Sequence, residues 1–459
     1  MNKYTGATDD SREVGPGMLF ISRPSDNAQK YLDEAIARGA AAVMLPTGSA
    51  LDLSAAVSAG MDVIKSADIM LDSARVAMAC YTDLPPHICA VTGTKGKTSV
   101  AAFVVQILKM MGKKAASIGT LGVNSDFMTL PGRNTTPFAL ELRNWLSQLR
   151  AGGAEYVVIE ASSHGIEQRR LEFMKFDSVG FTNFSRDHLD YHGTMENYLA
   201  AKRRLFSDFD YKTAVLNADD WASEQTPTHG EKITFGRDGR QMKILNITAS
   251  GSGQVVWLNY CGVEKKLETS LIGEFQIYNA LMAIGLVCGM GFAPESLPIE
   301  GIFTQLRAPR GRAEFIGTTT SGGSVYVDYA HTPDSLQKIL ETLRRHTQKK
   351  LHLVFGCGGN RDAGKRPLMG EIASRLADFT TVTDDNPRNE APEEIRRQVI
   401  AQCPNAANIG DREEAIKIAM SKLRDGDLLV IAGKGHETVQ LARGVRTHFD
   451  DAETVRKYL

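Results

Sequence analysis

The stretch His87-Ile88-Cys89-Ala90-Val91-Thr92-Gly93-Thr94-Lys95-Gly96-Lys97-Thr98-Ser99 constrains this chain more than any other. Ile88 to Val91 is an apolar run that stops at a glycine turn, which predicts a buried strand. Gly93 and Gly96 let the backbone turn sharply, and an apolar helix is expected to run on to about Met111. Strand, glycine loop and helix start together make a phosphate cradle. Backbone N–H groups and the helix dipole face the anion, Lys97 adds a charge, and the Thr98 hydroxyl can hold Mg²⁺. The spacing is T-G-T-x-G-K-[TS]. It is shorter than G-x-x-x-x-G-K-[ST], which would need glycine where Val91 stands.

With 459 residues, the chain is too long for one core and is expected to form about three domains. A net charge of −1 argues against a general nucleic-acid or membrane-surface binder. The cysteines (80, 89, 261, 288, 357, 403) form no C-x-x-C pair, and Cys89 and Cys288 lie in apolar runs. Buried thiols in a reducing cytoplasm are expected. Asp9, Asp10, Arg12 and Glu13 stand where a signal peptide would be apolar, and no membrane span is expected.

Residues 1–86 read as a small α/β unit. Strands are expected at Gly17–Ile21 and Ala40–Leu45, helices at Tyr31–Arg38 and Asp72–Tyr81, and a stiff boundary at Pro85-Pro86. After the phosphate loop, Asn134-Thr135-Thr136-Pro137 reads as a helix cap with proline at the first helical position. Tyr156 to Ile159 is an apolar strand ending in Glu160, where α/β sheets place ligands and where a carboxylate can bind Mg²⁺. A strand at Ser178–Asn183 runs into Asp187, His188, Asp190 and His192. Zinc is disfavoured there because no matched Cys or His pair lies elsewhere. Lys202, on a helix over 194–206, reads locally as a solvated lysine. Residues 232–272 read as β-rich, followed by an apolar helix to about Met290. Four later strands, at 325–328, 351–355, 379–383 and 428–432, alternate with helices as in a doubly wound sheet, and each ends in polar or glycine residues. Four such loops on one edge predict a binding face.

The motifs T-G-T-K-G-K-T-S, E-A-S-S-H-G, T-N-F-S-R-D-H-L-D-Y-H-G-T, D-Y-A-H-T-P-D-S, G-G-N-R-D-x-x-K-R-P, D-D-N-P-R-N-E and A-G-K-G-H-E occur in that order. Together they resemble the Mur ligase family over nearly the whole chain. The resemblance implies an α/β protein of three domains. Residues 1–86 would bind the uridine end of a nucleotide substrate. Residues 87–312 would form a central P-loop ATPase-like parallel sheet, and residues 313–459 a Rossmann-like amino-acid-binding domain. It also implies an ATP- and Mg²⁺-dependent ligase in the cytoplasm, expected to be a monomer.

By the same resemblance, Gly93, Thr94, Lys95, Gly96, Lys97, Thr98 and Ser99 hold the ATP phosphates, Asn279 the adenine, and Arg312 and Asp328 reach ATP on domain closure. Thr98, Glu160, His188 and Lys202 match the magnesium-site residues, with Lys202 at the position the family carbamylates. That replaces the solvated reading of Lys202. Ser11, Asn134, Thr135, Thr136, Ser162, Gln168 and Arg170 match positions that hold a UDP-MurNAc-L-Ala-D-Glu substrate. Asp385, Asn386, Pro387 and Arg388, with Arg361, Gly433 and Glu437, match the pocket of members that add meso-diaminopimelate. The physics agrees: Arg388 and Arg361 can pair a distal carboxylate and Glu437 an ammonium, whereas L-lysine would leave the arginines unpaired. Two alternatives stand beside this reading: the same chemistry with L-lysine or another amine, and a P-loop regulatory protein without catalysis. A GTPase-type N-K-x-D motif is absent. Ser22 to Gln29 departs from the family's H-x-x-D-G-like patch, and Gln276 stands where the family usually has asparagine.

Overall fold

The computed structural model describes residues 3–250, 253–347 and 349–459. They form two compact units, residues 1–243 with 279–297, and residues 244–278 with 298–459. Both are α/β.

The first unit begins with a parallel sheet, β1 (Ala7–Thr8), β2 (Leu19–Ile21), β3 (Ala42–Pro46) and β4 (Asp62–Ser66), in sequential order. Helix Ala28–Ala37 buries Ala28, Leu32 and Ala35, one stripe at helical spacing. Helix Ile69–Cys80 starts at Asp68, whose carboxylate accepts from Leu71 N and satisfies an orphan donor. The apolar patterns predict β2, β3 and both helices. Strands β1 and β4 go unpredicted, the first for its brevity and the second for its polar ends.

The larger sheet of this unit is built from β5 (His87–Thr92), β6 (Ala115–Gly119), β7 (Gly122–Asn124), β8 (Thr129–Leu130), β9 (Tyr156–Glu160), β10 (Lys175–Phe181), β11 (Asp210–Asn217) and β12 (Glu231–Gly236). Their spatial order is β12-β11-β10-β5-β9-β6-β7-β8, parallel from β12 to β6. β5 and β9 carry unbroken apolar runs, at residues 88–91 and 156–159, as expected of strands covered on both faces. Register sets the chemistry. Val91 pairs with Glu160 and Thr92 with Phe181, so the glycine loop after β5 emerges between the ends of β9 and β10. The chain leaves β5 toward β6 on one side and later reaches β10 on the other, and ligands sit at such a switch point.

One local expectation fails. The helix after Thr-Thr-Pro is Ala139–Ala151 with Phe138 at its N-cap, so Pro137 precedes the helix and Thr136 caps nothing. Cys89 is buried as expected, while Cys288 is only half-buried; all the cysteines are free thiols.

In the second unit, β13 (Met242–Ser250), which starts in the first unit, is followed by the hairpin of β14 (Gly253–Tyr260) and β15 (Val263–Thr269). Beyond it lies a six-stranded sheet of β16 (Glu314–Thr318), β17 (Ser324–Asp328), β18 (Leu351–Phe355), β19 (Phe379–Val382), β20 (Ala407–Asn408) and β21 (Leu428–Ala432). Its order is β16-β17-β21-β18-β19-β20, with only β16 antiparallel. Alternate strand residues feed two cores. Tyr326, Leu353 and Val430 pack with helices Pro333–Arg344, Lys365–Leu376 and Pro392–Ile400. Val327, Val354 and Ile431 pack with Arg412–Ser421 and Asp451–Lys457. The sheet is doubly wound, as its alternating pattern predicts. Asp328 pairs with Ala432 and Ala432 with Phe355, so the expected loops do share one edge. A last hairpin, β22 (Val439–Ala442) with β23 (Val445–His448), lies over the loop carrying Arg388 through a bridge from Arg388 to Ala442.

Candidate active site

The glycine loop is held by contacts that leave no room for side chains. A methyl on Gly93 (φ +140°) would overlap Thr182 Oγ1, and one on Gly96 (φ +89°) would overlap Asn279 Oδ1. Asn279 is therefore beside the loop, on the part of helix Glu274–Gly289 that belongs to the first unit. Thr94 N donates to Asn183 O (2.8 Å), and Tyr198 Oη to Thr94 Oγ1 (3.2 Å). Lys95 is exposed, with Nζ 3.6 Å from Asp187. Lys97, Thr98 and Ser99 open helix Lys97–Met110, and Lys97 Nζ donates to the carbonyls of Gly93 (2.7 Å) and Thr94 (3.1 Å). A cationic amine folded onto its own loop is poised for an anion that replaces those carbonyls.

Glu160 ends β9 and is 2% exposed. Its carboxylate accepts from Thr98 Oγ1 at 3.0 Å, Thr120 N at 3.0 Å and Thr120 Oγ1 at 3.1 Å. Hydroxyl and carboxylate oxygens beside a phosphate loop are the hard donors Mg²⁺ prefers. Thr98 and Glu160 therefore fit that ion. Among the described residues no group of three or more His, Cys, Asp or Glu is placed to hold a metal by itself. Magnesium here would rely on water and phosphate oxygens, as it commonly does.

Lys202 is 1% exposed, which rules out its solvated reading. Its Nζ donates to Gly93 O at 2.9 Å and lies 4.4 Å from the Tyr198 ring centroid. Burial first, and then the charge of Lys97, hold its pKa well below the ordinary 10.5. His188 caps helix Leu189–His192 in a left-handed conformation (φ +50°), its ring 4.9 Å from that of His164. His192 is buried between Ser163 Oγ (2.9 Å) and Glu167 (3.1 Å).

The residues expected to hold the nucleotide-peptide converge on the end of β9. Thr136, fully buried, donates to Glu160 O (2.7 Å) and accepts from Ser162 N (2.9 Å). Thr135 Oγ1 meets Thr120 Oγ1 at 3.1 Å, and Asn134 is half-buried beside it. Arg170 Nη1 donates to Thr136 O (2.6 Å) and Arg170 Nη2 to Gln168 Oε1 (2.6 Å). Burial, and next Arg23, lower the Arg170 pKa to about 10. The Arg23 and Arg170 guanidinium carbons lie 3.3 and 4.0 Å from the Phe138 ring centroid. The segment that departs from the family pattern thus places an arginine on Phe138, just past the turn at residues 134–136. Ser11 stands apart, donating to Glu34 at 2.6 Å.

In the second unit, Arg312 lies over Tyr329 (4.6 Å to the centroid), and Asp328 accepts from Ala313 N (2.7 Å) and Ala330 N (2.8 Å). Burial raises the Asp328 pKa, and the nearby Arg312 opposes the shift. Arg388, left-handed at φ +50°, donates to Gly359 O (2.9 Å), and a methyl on Gly358 would lie 2.9 Å from its Nη1. Arg361 is exposed on the same loop. Asn386 Nδ2 donates to Glu437 Oε2 at 2.9 Å. A methyl on Gly433 would sit 2.8 Å from Asp385 Oδ2, and one on Gly359 would overlap Pro387 O. Of the residues expected to form the amine pocket, Asp385, Asn386, Pro387, Arg388, Gly433 and Glu437 therefore lie together at the strand ends, with Arg361 exposed on the loop that carries Gly358 and Gly359.

Residues 91–287 match the Mur ligase middle domain, and residues 311–435 the Mur ligase, glutamate ligase domain. The UDP-N-acetylmuramoyl-L-alanyl-D-glutamate--2,6-diaminopimelate ligase of Caulobacter vibrioides is 43% identical over 467 residues, covering 98% of this chain and 94% of its own. The chain belongs to the Mur ligase family. The Rhizobium meliloti ligase of the same name is 42% identical, covering 99% of this chain and 94% of its own. A solved structure bearing that name superposes with a TM-score of 0.70 at 34% identity, over 99% of this chain and 94% of that one. The MurF ligase from Thermotoga maritima in complex with ADP shares the fold, with a TM-score of 0.66 at 17% identity over 99% and 96% of the two chains.

Sequence reasoning on this Mur ligase missed Thr120, Gly119 and Lys434. Thr120 follows β6 and carries no motif. Its role at Glu160 arises only because β6 and β9 are neighbours. Gly119 must lack a side chain because a methyl would overlap Glu160 Oε1. Lys434 lies within A-G-K-G-H-E, and nothing in that motif marks the lysine as buried.

Proposed function

We propose that this Mur ligase joins meso-2,6-diaminopimelate to UDP-MurNAc-L-Ala-D-Glu at the expense of ATP, as a cytoplasmic step of peptidoglycan precursor synthesis. Its relatives' names supply the reaction class. The observation that carries the amine assignment is the convergence of Arg388, Asn386 and Glu437. A guanidinium for a carboxylate and a carboxylate for an ammonium suit a diamino diacid. L-lysine, lacking the distal carboxylate, would leave Arg388 with only carbonyl partners. Among the described residues no helix is long and apolar enough to cross a membrane.

In this mechanism the D-glutamyl side-chain carboxylate attacks the γ-phosphate, ADP leaves, and the carboxylate becomes an acyl phosphate. The amine, having given up its proton to solvent, then attacks the acyl carbon; phosphate leaves and a second proton is lost as the amide forms. Lys97 balances the charge that develops on the transferring phosphoryl group. Thr98 and Glu160 would hold Mg²⁺, with His188 and a carbamylated Lys202 as further ligands, and the ion would supply charge stabilisation at the phosphates. Asn279 orients the adenine, and Arg312 and Asp328 would reach ATP only on domain closure. Ser11, Asn134, Thr135, Thr136, Ser162, Gln168 and Arg170 hold the acceptor so that its carboxylate faces the phosphate. The remaining work is positioning.

The test is phosphate release from ATP and Mg²⁺ with UDP-MurNAc-L-Ala-D-Glu and, separately, meso-diaminopimelate, L-lysine or no amine. Release with meso-diaminopimelate alone is expected, and Arg388→Lys should lower kcat/KM for that amine by about 100-fold. Release with L-lysine instead would overturn the role of Arg388. Silence with every amine would overturn the reaction.

A further inference from the structure

Lys434 lies between Gly433 (φ +113°) and Gly435 (φ +55°), two left-handed positions that fold the loop back on itself. Its side chain is fully buried. Nζ donates to Val439 O at 2.8 Å and to Asn386 Oδ1 at 3.3 Å, and stands 3.7 Å from Glu437 Oε2. Asn386 Oδ1 also accepts from Leu441 N at 2.9 Å. The carboxamide therefore has donors on one side only. Flipped, its NH₂ would face an N–H and an ammonium, and its oxygen would face a carboxylate. Every one of those pairings is repulsive. In the observed orientation Nδ2 donates to Glu437 Oε2, which fixes the carboxylate and leaves Oε1 for another donor.

The surrounding charges agree. Asp385 faces the loop at Gly433, and Arg412 is fully buried against Asp451 while donating to Ala432 O at 3.0 Å. Burial and Arg412 oppose a charged Lys434, while Asp385, Glu437 and Asp451 favour it.

We propose that Lys434 is the positioning residue of the amine pocket. It locks the Asn386 carboxamide, the carboxamide aims the Glu437 carboxylate, and the carboxylate takes the ammonium of the incoming diamino acid. This rests on the reaction proposed above. Lys434 touches no substrate atom itself.

The experiment compares wild-type enzyme with Lys434→Met, a side chain of similar length without charge, by steady-state kinetics on all three substrates and by thermal melting. The expected result is a KM for meso-diaminopimelate raised about 10-fold, with the KM for ATP and for UDP-MurNAc-L-Ala-D-Glu within about 2-fold of wild type. An unshifted amine KM, or equal shifts for all three substrates, overturns the role of Lys434 while leaving the ligase intact. A wild type silent with every amine overturns the reaction and the proposal together. Asn386→Asp keeps a partner for Lys434 but cannot donate to Glu437, so it decides the matter should Lys434→Met fail to fold. The same selective rise in amine KM supports the relay, and an unchanged amine KM overturns it.

Discussion

The Thr98 hydroxyl donates to the Glu160 carboxylate at 3.0 Å, joining the first turn of the loop helix to the end of a strand 62 residues away. Both oxygens belong to the hard-donor pair that would face Mg²⁺. Glu160→Gln keeps the shape but removes the charge, and its neighbouring hydroxyls can turn to suit an amide. The variant is expected to fold with a near-native melting temperature and to lose about 100-fold or more in kcat for phosphate release. Thr98→Ser should retain most activity, and Thr98→Ala should lose about 10-fold. Equal activity of Thr98→Ala and wild type would remove the hydroxyl from the site.

Lys202 offers a second test. Its folded pKa lies well below 10.5 because burial and then Lys97 oppose its charge. A lowered pKa enlarges the fraction of the amine that has the lone pair carbon dioxide requires. Phosphate release should fall in carbon-dioxide-depleted buffer and return with bicarbonate, and Lys202→Met should be inactive in both. The linkage sign gives an independent readout. Between the depressed folded pKa and 10.5 only the unfolded chain binds this proton, so the unmodified protein gains stability as pH rises through that window. Lys202→Met should flatten the rise, measured by urea unfolding of decarbamylated protein at several pH values.

The phosphate loop and the strand ending in Glu160 were legible because apolar runs of strand length stop abruptly at glycine or a carboxylate. The doubly wound second unit was legible for the same reason, repeated at 324–328, 351–355, 379–382 and 428–432. Thr136 was not. Thr-Thr-Pro has the composition of a cap, yet the fold spends Thr136 on Glu160 O, across 24 residues. Lys202 defeated local reasoning too, because one lysine on a helix carries no sign of which face is buried. Lys434 hid among glycines, whose left-handed turns decide where its side chain goes. Short strands such as Ala7–Thr8 and Ala407–Asn408 exist only through their neighbours' registers. What the sequence withheld in each case is a long-range contact.

Two histidines predict an acid response. In the first unit His164 is pushed down to about 4, by burial first and then by His188 and His192. In the second His436 is also lowered to about 4, by burial first and then by Arg312 and Arg310. For each, the unfolded chain takes up a proton near pH 6.5 while the folded chain refuses it until about 4. Stability from these groups is therefore complete above 6.5 and drains away as pH falls toward 4. The melting temperature should drop across that interval at constant ionic strength. His164→Asn and His436→Asn should each make the drop shallower, and an unchanged slope in both variants would count against half-buried neutral imidazoles.

Gly119 gives the most local test of the site. It ends β6, has no left-handed φ, and so tolerates alanine as far as its backbone is concerned. Only space forbids the change, because the added methyl would overlap Glu160 Oε1 and lie 2.6 Å from Glu160 Cγ. The carboxylate must then leave the two donors of Thr120 and the hydroxyl of Thr98. Overpacking of this kind costs about 1–3 kcal/mol. Gly119→Ala should lower the melting temperature modestly and phosphate release severely, since displacing the carboxylate by even 1 Å costs roughly 100-fold in rate. Gly112→Ala is the control. It lies past the helix with nothing within 4 Å of the added methyl, but at φ +72°, so it should lose stability from backbone strain while keeping its activity. A Gly119→Ala enzyme as active as that control would mean the Glu160 carboxylate can work from elsewhere, and the hydrogen bonds that hold it at the end of β9 would then be structural alone.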